Sequence, residues 1–104
     1  MYISFLYIMA NRDPRYDLIK HLYKEGKIKS FNDIFKYVPK TIVATDLGKK
    51  VDRFTELLNR VGGFTLDEVA LMASFCELEE SVMFKLIEKE YFIQKKQIIH
   101  ANNK

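Results

Sequence analysis

Apolar residues in this chain recur at the three-to-four-residue spacing of helices, and a few turn residues cut the pattern into segments. The first run holds Leu18, Ile19, Leu22 and Tyr23. Asp13-Pro14 ahead of it reads as a cap and first helical residue, because proline has no N–H to leave unsatisfied there. Gly26 supplies a left-handed stop. Ser30 opens a second segment, with Asp33 in its first turn and Phe31, Ile34, Phe35 and Val38 on one face. Pro39 closes it, since the residue before a proline is pushed out of the α region. Two short helices are predicted around Gly48, from about Thr41 to Leu47 and from about Val51 to Arg60, and Gly62-Gly63 breaks the second.

The strongest local signal follows. Thr65 and Glu68 form a capping box, and Phe64 and Val69 a hydrophobic staple, so a helix is expected from there to about Phe75. A last helix, about Glu79 to Gln97, carries Val82, Met83, Leu86, Ile87, Tyr91 and Ile93. Strand-like alternation is confined to the ambiguous Tyr2–Ile8. The expected fold class is therefore all-α, with five or six short helices. Ala44, Leu47, Phe54, Leu57, Val69, Ala73 and Leu86 are expected to be buried together.

At 104 residues there is room for one domain. It is expected over residues 13–97, with 1–12 as an arm or over-long start and 98–104 as a tail. Met9 opens a plausible alternative start just ahead of Asp13; the competing expectation is that Tyr2, Phe5, Leu6 and Ile8 form a dimer arm. Met1–Ala10 lacks the basic leader and cleavage site of a signal peptide. No apolar run reaches the roughly 18–20 residues needed to span a bilayer. A lone cysteine, Cys76, cannot form an internal disulfide, so a reducing, cytoplasmic setting is expected.

The net charge is +3, unevenly distributed. Residues 12–60 carry a net +5, residues 61–84 a net −5 and residues 85–104 a net +3. A basic first half suits a polyanion. Catalytic chemistry has little to work with: His21 and His100 are isolated from other metal ligands, and Cys76 sits in an apolar run. Glu77, Glu79 and Glu80 lack the spacing of a calcium loop, and no glycine-rich phosphate loop occurs. The expectation is a non-enzyme without metal or small-molecule cofactor.

Residues 39–60, PKTIVATDLGKKVDRFTELLNR, place Ala44 four residues before Gly48, with Val43, Leu47, Phe54 and Leu57 around them. A small residue lets two helices approach, and a glycine can take the positive φ of the corner. This pattern resembles the helix-turn-helix of lambda-repressor and Cro-like (XRE-type) regulators. Residues 64–87, FTLDEVALMASFCELEESVMFKLI, look like that family's fourth and fifth helices. Lys49, Lys50 and Val51 depart from the apolar, Ser/Thr-cap and polar residues common there.

The resemblance implies a DNA-binding regulator whose second helix enters the major groove of double-stranded DNA. Lys50, Val51, Asp52, Thr55, Glu56 and Asn59 would then face the bases. Lys50 suits phosphate or guanine, Thr55 and Val51 a thymine methyl, and Asn59 adenine or phosphate. Arg53 and Arg60 suit backbone contacts, and Lys40 and Thr41 suit phosphate at a helix start. Asp52 and Glu56 either accept from cytosine N4 or are structural, Asp52 through the helix dipole and Glu56 by pairing with Arg60. Regulators of this type usually act in pairs, so a homodimer is expected through Phe84, Tyr91 and Ile98, at seven-residue spacing on the last helix. The alternative is a helix-turn-helix module for protein–protein contact, antitoxin-like and without base readout.

Overall fold

A computed structural model describes residues 12–102, with side chains characterised as far as Gln97. Met1–Ile8, the subject of the competing arm and start expectations, lie outside the described residues, as does the side chain of Ile98. Among the described residues there are five α-helices, two 3₁₀ helices and no strand, which bears out the all-α expectation. The elements are α1 (Tyr16–Lys24), a first 3₁₀ helix (Phe31–Lys36), α2 (Lys40–Asp46), α3 (Val51–Asn59), a second 3₁₀ helix (Val61–Gly63), α4 (Leu66–Cys76) and α5 (Glu80–Asn102).

Three of the α-helices stop in the same way. Just past α1, α2 and α4 one residue turns left-handed: Gly26 at φ 78°, Gly48 at φ 72° and Glu77 at φ 53°. In each case that residue's N–H and the next one return to carbonyls of the last turn. The pairs are Gly26 to Tyr23 with Lys27 to Leu22, Gly48 to Thr45 with Lys49 to Ala44, and Glu77 to Ser74 with Leu78 to Ala73. These are Schellman closures, which satisfy carbonyls that would otherwise have no partner. Glu77 adopts the strained conformation without a glycine. Its carboxylate accepts from the Arg12 guanidinium at 2.6 Å, and the same guanidinium donates to the Phe75 carbonyl at 2.6 Å and pairs with Asp17. Arg12 thereby ties the entry of α1 to the end of α4.

Other boundaries also shift. Asp13 does not cap an α-helix directly. Its carboxylate takes the Arg15 N–H at 2.8 Å and its carbonyl the Tyr16 N–H at 3.1 Å, so the chain makes one turn before α1 starts. The segment after Ser30 is 3₁₀ rather than α, because only six residues fit before the approach to Pro39, and short pieces favour the tighter turn. Asp33 accepts from the N–H groups of Lys29 and Ser30, at 2.9 and 3.1 Å, and pairs with Lys36 at 2.9 Å. Those contacts lower its pKa from the ordinary 3.8 to about 2, with the Lys36 bond the largest cause. The capping box at Thr65 and Glu68 forms as expected, at 2.8 and 3.1 Å. The last helix continues past Gln97 to Asn102.

Four phenylalanines hold the centre. Phe31 meets Phe35 and Phe64 edge-on, at centroid separations of 5.2 and 5.9 Å, and Phe54 meets Phe35 and Phe64 at 5.8 Å each. Rings packed in this way contribute about 0.5–1.5 kcal/mol per pair beyond their buried area. The group joins the first 3₁₀ helix to α3 and to the entry of α4. Six of the seven residues expected in the core are buried; Leu47, the last residue before the corner glycine, is half-buried. Cys76 is buried, and burial pushes its thiol up to about 12.

Candidate nucleic-acid interface

The corner between α2 and α3 is built as the sequence pattern requires. Ala44 is fully buried, Gly48 takes the left-handed turn, and Phe54 and Leu57 plant α3 on the core. Lys50 precedes α3 in extended conformation, and its side chain does not cap the helix. The Phe54 N–H makes the first intrahelical bond, to the Lys50 carbonyl at 3.0 Å. The N–H groups ahead of it point outward from the helix start, next to Asp52.

The burial pattern divides α3 into two sides. Phe54 and Leu57 face inward, with Leu58 and Val51 half-buried against them. Val51 therefore spends much of its surface on the core, which disfavours the expected thymine contact. Asp52, Arg53, Glu56, Asn59 and Arg60 form one exposed arc, joined by exposed Lys50 and half-buried Thr55. Lys40 and Thr41 are exposed at the start of α2. Glu56 pairs with Arg53 at 3.1 Å and not with Arg60 as anticipated. Among the described residues, Lys40, Lys50 and Arg60 make no ion pair.

Three polar contacts, each from a different helix, fix this corner to the body. Tyr16 of α1 donates its hydroxyl to Asp46 at the end of α2, at 2.8 Å. Burial, reinforced by that carboxylate, raises the tyrosine pKa far above 10.0. Lys49 in the turn is half-buried and ion-paired with Glu68, the residue that completes the α4 capping box. Burial pushes the Glu68 carboxyl up, but Lys49 and the Thr65 N–H together outweigh it and hold the pKa below 4.5. The lysine that departs from the apolar family pattern is thus an internal tie. Gln94 of α5 accepts the Val61 N–H at 3.0 Å and donates to the Leu58 carbonyl at 2.9 Å, closing the C-terminal end of α3.

A groove runs between that end of α3 and α5, lined by Arg53, Arg60, Gly62, Tyr91, Gln94 and Lys95 among others. Gly62 and Gly63 serve close packing here. A Cβ on Gly62 would lie 3.1 Å from the Tyr91 ring, and one on Gly63 would lie 2.9 Å from Leu57. The sequence reading missed Tyr91, Gln94 and Lys95 as neighbours of α3, since about thirty-five residues separate them from it. The one available signal was the helical period of α5, which places Tyr91 and Lys95 together at i and i+4.

Phe84, expected at a dimer seam, is half-buried against the core, while Phe92 and Ile93 are the more exposed apolar residues of α5. His21 is exposed on α1. Among the described residues there is no group of His, Cys, Asp and Glu positioned to hold a metal, and no helix long and apolar enough to cross a membrane. No family model matches the chain, and no curated protein or solved structure is similar enough to match it.

Proposed function

We propose that this chain is a sequence-reading DNA-binding regulator that lays α3 in the major groove of duplex DNA. One observation carries the reading: a two-helix corner is fastened to three other helices on its inner side, while the outer arc of its second helix stays exposed. Readout needs a helix held rigidly with its side chains free. Lys50, Thr55 and Asn59 are assigned to base edges, and Lys40, Arg53 and Arg60 to phosphates. Lys49 is left out of the interface because Glu68 already holds it. A salt titration of the intact chain against random duplex DNA tests the proposal. A steep fall of log K with log salt supports it; absence of binding at low salt contradicts it.

Asp52 and Glu56 lie in the same exposed arc and cancel much of its positive charge, an observation that favours contact with a protein as the second reading. The Asp52→Asn, Glu56→Gln double variant separates the two. On the DNA reading it binds all duplexes more tightly with less discrimination, because two repulsive charges are gone. On the protein reading duplex binding stays absent.

The regulator is proposed to act as a homodimer in a reducing, cytoplasmic setting. Phe92 and Ile93 replace Phe84 and Tyr91 as the apolar seam, with 51% and 42% of their surfaces exposed. Sedimentation distinguishes the states: wild type as a dimer at tens of micromolar and Phe92→Glu as a monomer is expected, and a monomeric wild type contradicts the seam.

A further inference from the structure

We infer that the groove between α3 and α5 is a second phosphodiester-binding element, with Lys95 of α5 gripping the DNA backbone beside Arg60. The inference rests on the proposed DNA-binding function and extends it to a helix outside the helix-turn-helix. Three cations, Arg53, Arg60 and Lys95, line the groove against one carboxylate, Glu56, which Arg53 already engages. Arg53 and Arg60 belong to the flank of the α3 arc that turns toward α5, since both line this groove while Asp52 and Thr55 do not.

The placement of Lys95 is fixed by its neighbour. Gln94 bonds the backbone at Leu58 and Val61, so the next residue of α5 is held alongside the end of α3. Tyr91, one helical turn earlier, lies so close to Gly62 that a Cβ there would come within 3.1 Å of its ring. Its ring forms a wall of the groove, and its hydroxyl adds a neutral donor suited to a phosphate oxygen. A strand that left the face of α3 would therefore meet Arg60, Lys95 and a phenol before reaching solvent. Cations set at separate points along a groove suit a repeating phosphate better than a single compact anion. Lys85, ten residues earlier on α5, is exposed and does not line this groove. It supplies a control of equal charge.

The test measures binding of the intact chain to random-sequence duplex DNA by fluorescence anisotropy across a salt series, for wild type, Lys95→Gln and Lys85→Gln. Lys95→Gln is expected to weaken binding to all sequences alike and to reduce the log–log salt slope by about 0.9, the value for one lost phosphate contact. Its deficit relative to wild type then shrinks about 3.5-fold between about 50 and 200 mM salt. Lys85→Gln is expected to keep the wild-type slope. A wild type that binds while Lys95→Gln and Lys85→Gln share the wild-type slope overturns the groove assignment and leaves the function standing. A wild type that fails to bind duplex at low salt overturns both.

Discussion

Replacing Gln94 with alanine removes the side chain that closes the C-terminal end of α3. The Val61 N–H loses its acceptor and the Leu58 carbonyl loses a donor, while the Glu90 carboxylate loses a weaker contact at 3.4 Å. A net neutral hydrogen bond contributes about 0.5–1.5 kcal/mol, and a buried backbone group left bare costs about 1–3 kcal/mol. The site is half-buried beside an open groove, so water can reach part of it, and the loss is set at about 2 kcal/mol. With a urea dependence near 1–1.5 kcal/mol per molar, the unfolding midpoint falls by about 1.3–2 M. Gln94→Glu sharpens the test. It keeps an acceptor for Val61 but turns a carboxylate toward the Leu58 carbonyl and toward Glu90. The new carboxyl is favoured in its protonated form in the folded state, so its folded pKa lies above the unfolded value of about 4.3. Its stabilising form is complete below that unfolded value and is lost as pH rises through the folded one. The glutamate variant should therefore match or exceed the alanine variant in damage at pH 7 and approach wild type near pH 4. An alanine variant with an unchanged midpoint, or a glutamate variant with no pH dependence of its own, would refute the clamp.

Tyr16→Phe keeps the ring beside Phe75, at a centroid separation of 5.5 Å, and removes only the hydroxyl bonded to Asp46. A bond to a charged group contributes about 1.5–3 kcal/mol, so a lowered melting temperature is expected and an unchanged one contradicts the tie. Ala44→Phe overpacks a site with no exposed surface and should cost about 1–3 kcal/mol in chemical denaturation. An unperturbed midpoint would mean that α2 and α3 do not meet there. Cys76, pushed up to about 12 from 9.0 by burial, should resist thiol reagents in the native state at neutral pH and react once urea unfolds the chain. Because the folded thiol pKa is the raised one, its contribution is complete below pH 9 and lost as pH rises toward 12. Cys76→Ala should flatten that part of the alkaline stability profile, and a profile of unchanged shape would count against the burial.

Features set by neighbours in sequence were legible, and features set by the meeting of distant elements were not. Gly26 and Gly48 announced two helix ends because few other residues adopt positive φ cheaply, and Thr65 with Glu68 announced a start because the capping box closes within four residues. The third Schellman closure was invisible, since Glu77 carries no conformational signal and is held by Arg12 from sixty-five residues away. Lys49 read as a departure from a family pattern; only the arrival of α4 reveals Glu68 as its partner. Glu56 has arginines at both i−3 and i+4, and spacing alone does not decide between them. Gly62 and Gly63 read as helix breakers, yet their lack of side chains matters for Tyr91 and Leu57. The outer arc of α3 was legible almost whole from its period, apart from Val51, which the core claims. The flank that α5 adds was not, because a helical period gives faces without saying what they face.

The central claim, that α3 and its groove face the nucleic acid, is tested most directly by mapping backbone amide shifts of the intact chain during titration with duplex DNA. The account predicts shifts concentrated at residues 50–60 and 91–95 and on Lys40 and Thr41, with the acidic stretch from Asp67 to Glu80 unmoved apart from small changes relayed through Glu68. Shifts centred on any other surface, or a spectrum that duplex DNA leaves unchanged, would contradict it.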